Sequence, residues 1–218
     1  MVGKKTFTAG KQSTTVSPMR LFIAFPISET IRKRYRELQD RGRKQAVSIR
    51  WCRPEQCHLT LLFLGEIKAS DLGAIEEILR STVAQFTPFT VTITGLGLFP
   101  KPKAPRVLWL GVSEEASLMR LQQSLADAIG RLGLPLERRS FRPHLTLARI
   151  RGKIEPVPGA LFRWMKQEAD VNIGPCKMES LILVQSRLSP QGASYQTLLT
   201  LPLGERHVEG RATDASRF

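Results

Sequence analysis

The sequence carries three histidines in 218 residues, and two of them open the same four letters, His58-Leu59-Thr60-Leu61 and His144-Leu145-Thr146-Leu147. In an extended segment successive side chains alternate between faces, so each motif presents an imidazole and a hydroxyl together, with leucines behind them. A lone His-x-Thr is most simply a strand histidine with no further task. Two copies at matching places in one chain point to a common one. Should the two faces meet across a cleft, two imidazoles flank one substrate. An ordinary pKa of about 6.5 lets one copy serve as base and the other as acid near neutrality. That pairing suits phosphodiester chemistry without a metal. One imidazole activates water, the other protonates a departing ribose oxygen, and the threonine hydroxyls with a basic neighbour hold the nonbridging oxygens. Arg149 supplies the neighbour on one condition: it lies at an odd offset from His144, so a turn or bulge must return it to the histidine face.

The elements that must position these residues follow from periodicity. "RLFIAF" (20–25) reads as a strand and 28–45 as a helix capped by Ser28. The first motif strand is 57–65, followed by a helix over 70–86 and a β-branched strand over 89–95. "RVLWLGV" (106–112) begins the series again, with a helix from about 114 to 132 whose Leu118, Leu121, Leu125 and Ile129 share a face. The second motif strand (144–150), a helix over 160–169 and two closing strands joined by "SPQGA" complete the chain. The halves share an order, and Arg20 to His58 spans 38 positions, as does Arg106 to His144. Both motifs therefore sit at one offset of 86, which an internal duplication explains.

Composition bounds the setting. Apolar residues make up 42% of the chain, ample for a folded core, and 33 Lys+Arg against 19 Asp+Glu give a net +14, which favours polyanionic partners. Cys52, Cys57 and Cys176 are odd in number and lack metal-ligand spacing, so the expectation is a reducing cytoplasm with neither a disulfide framework nor zinc. No apolar run is long enough for a membrane span, so no membrane partner is expected. Residues 1–19 read as a flexible basic extension, with Met19 a candidate start, and 204–218 as a flexible tail that holds the third histidine, His207.

Around the motifs, "MRLFIAFPIS", "IRWCRPEQCHLTLLFLGE", "RVLWLGV", "FRPHLTLAR" and "LVQSRLSPQGASYQTLLTLPL" resemble the sequence blocks of the two-histidine (2H) phosphoesterase superfamily. The nearest resemblance is to the RNA 2′,3′-cyclic phosphodiesterases also described as 2′-5′ RNA ligases, over roughly residues 19–203. It implies an α+β, bilobal, pseudo-twofold duplicated fold, with an antiparallel sheet in each lobe, helices outside and a central cleft, within one domain over 20–203. It also implies metal- and cofactor-independent opening of a terminal 2′,3′-cyclic phosphate to a 2′-phosphate, with weak ATP-independent 2′-5′ ligation as the reverse. Carried over by motif position, His58 is the general acid on O3′ and His144 the general base on water. Thr60, Thr146 and Arg149 bind phosphate oxygens. Phe63 takes the place matching Arg149 in the first motif, where it either stacks a base or fills core. Arg142 reads as surface charge, and Gln185 departs from the family's usual aromatic or charged residue. The expected partner is an RNA end bearing a cyclic phosphate, handled by a monomer. Rival readings are a phosphodiesterase of a small cyclic nucleotide or ADP-ribose cyclic phosphate, and a non-catalytic RNA-end binding module.

Overall fold

A computed structural model describes residues 17–45, 49–100, 105–136, 139–150, 159–190 and 192–204. His207 and nearly all of both expected extensions lie outside them. The chain runs β1 (Met19–Pro26), α1 (Glu29–Arg43), β2 (Arg50–Trp51), β3 (His58–Ile67), α2 (Leu72–Val83), β4 (Phe89–Phe99), β5 (Val107–Val112), α3 (Ala116–Gly130), β6 (His144–Arg149), α4 (Gly159–Gln167), β7 (Asn172–Met178), β8 (Ser180–Ser189) and β9 (Gly192–Pro202). Met19, placed by sequence in the extension, is the first residue of β1. Ser28 caps α1 as expected, its hydroxyl accepting from the Ile31 amide. The apolar stripe of α3 is buried as its spacing requires.

Two antiparallel sheets result, one ordered β3-β1-β8-β9 and the other β2-β6-β5-β4-β7. From each motif strand outward the order corresponds: motif strand, its paired strand, then two more. The third place is exchanged between the halves of the repeat, since β8 joins β1 and β4 joins β5. The helices are exchanged as well. α3 packs on α2 and β3, while α1 packs on β7 and holds α4's flank through an Arg41–Glu168 ion pair at 2.5 Å. The duplication is thus an interlocked pair of lobes, each containing strands and a helix from both halves. One continuous apolar core runs through both, from Leu21, Ile23 and Phe25 to Leu145, Leu147 and Leu181.

Two strands escape a sequence reading. β2 is only Arg50–Trp51, and β7 carries Gly174-Pro175, residues that normally break strands. Both lie at edges of the five-stranded sheet, where a missing ladder amide is tolerated.

The register corrects the simple repeat. His58 stands opposite Pro26 and His144 opposite Gly111, so the paired strands are related by 85 positions and the motifs by 86. The chain between strand and motif is one residue longer in the second half. Beyond each threonine the register slips in the same way: Thr60 faces Ala24 but Leu62 faces Ile23, and Thr146 faces Trp109 but Ala148 faces Leu108. Leu61 and Leu147 are the extra residues of two equivalent bulges. No helix of the described residues is long and apolar enough to cross a membrane.

Candidate active site

Each motif histidine is held by the chain just before it. His58 Nδ1 lies 2.7 Å from the Gln56 carbonyl oxygen, and His144 Nδ1 lies 2.7 Å from that of Arg142. A carbonyl oxygen only accepts, so Nδ1 carries the hydrogen in both rings. That leaves Nε2 of each as the working nitrogen: a lone pair when neutral, a donor when protonated. Arg142, whose side chain is exposed, therefore contributes its backbone to the site.

The bulges decide what accompanies the imidazoles. In each motif His and Thr are half-buried, the leucine between them and the next two residues are buried, and the sixth residue is exposed. Two consecutive inward residues mark the change of parity, so Phe63 and Arg149 emerge on the same face as His58-Thr60 and His144-Thr146. The condition attached to Arg149 is met. Phe63 is 48% exposed, which removes core filling as its role. Its ring lies 6.0 Å from Phe22, which stacks on His58 at 4.7 Å and an interplanar angle of 27°.

The two motif strands lie against each other, and their charges interact. Burial pushes the His58 pKa down to about 4, with Arg149 and His144 adding to the fall and the bond to Gln56 opposing it. His144 is lowered by burial and by Arg149. Arg149 thus faces both imidazoles, and it also faces the Tyr195 phenol, whose pKa burial raises. Among the described residues no three His, Cys, Asp or Glu side chains gather as metal ligands, and Arg149 is a cation that acts on both imidazoles.

Several site residues are not evident from the motifs. Tyr195 on β9 stands edge-on to His58 at 5.3 Å, and with Phe22, Ala24 and Val184 it forms a small apolar floor separate from the main core. On the other side Phe99 stands edge-on to His144 at 5.0 Å and stacks on Trp109. These rings come from β1, β4, β5 and β9, and only strand pairing reveals their shared face. Phe22, Trp109 and Tyr195 lie in blocks that carry the family resemblance, whereas Phe99 lies outside them.

The chain matches the model of the LigT like Phosphoesterase family twice, over residues 25–109 and 110–195, one match to each half of the repeat. It is 33% identical over 180 residues to an RNA 2′,3′-cyclic phosphodiesterase of Archaeoglobus fulgidus, covering 83% of this chain and 98% of that one. To the protein of the same name from Aeropyrum pernix it is 36% identical over 166 residues, covering 76% and 92%. A solved protein of Thermus thermophilus superposes with a TM-score of 0.73 at 30% identity, covering 87% of this chain and all of that one. Two copies of one motif-bearing unit, each matched by the family model and together folded like the Thermus protein, make this chain a member of the LigT-like, two-histidine phosphoesterase family.

Proposed function

We propose that the protein is an RNA 2′,3′-cyclic phosphodiesterase that opens a terminal cyclic phosphate to a 2′-phosphate by acid–base catalysis between His58 and His144. The observation that carries this is the matched pair of imidazoles, each fixed through Nδ1 and each free at Nε2, on a face that also presents Arg149. Binding alone needs no such pair, which disfavours a non-catalytic RNA-end module. The reaction needs one Nε2 to take a proton from water as it attacks phosphorus, and the other to give a proton to O3′ as it leaves. Thr60, Thr146 and Arg149 hold the nonbridging oxygens, the guanidinium as a two-pronged donor. Phe63 offers an aromatic face to the terminal base.

Protonation is the delicate step. Before substrate binds, both imidazoles are below their ordinary pKa, His58 the lower at about 4, so neither carries the acid's proton at neutral pH. A phosphodiester anion against Nε2 favours the imidazolium, so the proton enters with the substrate. With His58 as acid and His144 as base, the bound phosphate must raise the former selectively. In the same direction, an RNA 5′-hydroxyl can replace water: it loses its proton to the base and attacks phosphorus, O3′ leaves with the acid's proton, and the ends are joined through a 2′-5′ bond without ATP, slowly because water is in excess. We further read the protein as a cytoplasmic monomer, in keeping with its three free thiols.

The test is incubation in chelator with RNA ending in 2′,3′-cyclic phosphate, beside a small cyclic dinucleotide and an ADP-ribose cyclic phosphate. Preferential conversion of the RNA end supports the proposal. Preference for either small substrate moves the protein to that class, and activity only after a divalent ion is restored contradicts the two-histidine mechanism.

A further inference from the structure

We propose that Tyr35 and Gln39 of α1 are positioning residues for phosphate capture, holding the β6 bulge in the shape that aims Arg149 into the cleft. The proposal rests on the phosphodiesterase reading above and concerns residues outside both motifs.

A bulge frees carbonyls from the strand ladder, and these must find donors elsewhere. At β6 the side-chain donors come from one turn of α1, and the Cys52 amide also donates to the Leu147 carbonyl at 2.9 Å. The Tyr35 hydroxyl donates to the Thr146 carbonyl at 2.7 Å, and Gln39 Nε2 donates to the Leu147 carbonyl at 2.9 Å. Leu147 is the extra residue of the bulge. The same amide lies 2.9 Å from the Cys52 carbonyl and 3.1 Å from the Tyr35 oxygen, tying the loop before the first motif to the second motif. Arg43 donates to Gln39 Oε1 at 3.3 Å, which fixes the amide's orientation. Both side chains are 0% exposed. Gln39 and Thr82 are the buried polar side chains of the described core. A glutamine is unfavourable there unless its bonds matter, because an unpaired buried amide is costly. Burial also holds the Tyr35 phenol in its protonated, donating form.

The other bulge offers a comparison. Gln122 of α3, which stands in its helix where Tyr35 stands in α1, reaches the Leu61 carbonyl at only 3.5 Å. The strong brace belongs to the motif that ends in the guanidinium, and the weak one to the motif that ends in Phe63. A stacking ring tolerates slack. A two-pronged donor does not, since its bonds require both nitrogens in register with the phosphate.

Tyr35→Phe removes one oxygen and keeps the ring; Gln39→Met keeps length and loses the amide. Inorganic phosphate binding is titrated calorimetrically in each, in the native background and in Arg149→Lys, whose flexible point charge needs no exact aim. The expected result is phosphate binding about tenfold weaker in Tyr35→Phe with Arg149 present, and less than twofold weaker with Lys in its place. Equal factors in the two backgrounds, or no loss in either, overturn the proposal; should Gln39→Met fail to fold, Tyr35→Phe decides alone. Phosphate affinity is read without turnover, so a native protein inactive on cyclic-phosphate RNA counts against the functional reading and leaves this test standing.

Discussion

With Nδ1 of both histidines committed to a carbonyl, whatever the pair does in the cleft passes through Nε2. His58→Ala and His144→Ala should each lower kcat by about 10²–10⁴-fold, and the double variant should be little worse than either, because acid and base act as one unit. Multiplying losses in steady-state kinetics would show two independent contributions. The lowered pKa values also fix the pH behaviour. In the free protein both groups lie below about 6.5, His58 at about 4, so kcat/KM should peak on the acid side of 6.5. Bound phosphate favours the imidazolium, so the kcat profile should peak at higher pH, and coincident profiles would count against proton entry with substrate. Stability carries the same sign. A histidine whose folded pKa is depressed binds protons more readily when unfolded, so its contribution is complete above about 6.5 and is lost as pH falls toward 4.

At the scale of elements, the bulges of β3 and β6 make the site out of otherwise ordinary strands. Much of this was legible in advance: the motif strands, the α1 cap, the stripe of α3 and the repeated order all follow from period and spacing. That a turn or a bulge was needed to bring Arg149 back to the histidine face followed from parity alone. The cause of the bulge did not, because the side-chain donors that brace it sit on α1, more than a hundred residues earlier in sequence. β2 and β7 escaped because edge strands are chosen by their neighbours and not by their own residues. The repeat was legible as an offset of 86, but the one-residue difference between paired strands and motifs appears only in the register. β4 supplies a further test. A Cβ on Gly97 falls 2.0 Å from a carbon of the Trp109 ring, which is packed beside Phe99 and His144. Gly97→Ala must displace that ring, and we expect about 1–3 kcal/mol lost in urea unfolding together with reduced kcat. Unchanged values would show that the ring moves freely.

At the scale of the molecule, exchange of strands and helices between the halves welds two copies of a simple unit into one core. A cleft at their junction then keeps its two faces in fixed relation, as a pair of proton-transfer groups requires. The net charge of +14 acts over the same scale. In the proposed function Arg149 serves the terminal phosphate and leaves the remaining excess for the RNA behind it. Rising salt should therefore lower kcat/KM more steeply for a long RNA than for a dinucleotide bearing the same cyclic end, since only the former releases counterions along its backbone. Equal slopes would confine recognition to the terminal nucleotide. The most direct test of the whole account is ³¹P NMR of a short RNA ending in 2′,3′-cyclic phosphate, followed in chelator with the native protein, His58→Ala and His144→Ala. The account predicts that the cyclic signal gives way to a 2′-phosphomonoester with the native protein and persists with either variant; a 3′-phosphomonoester, or full conversion by a variant, would contradict it.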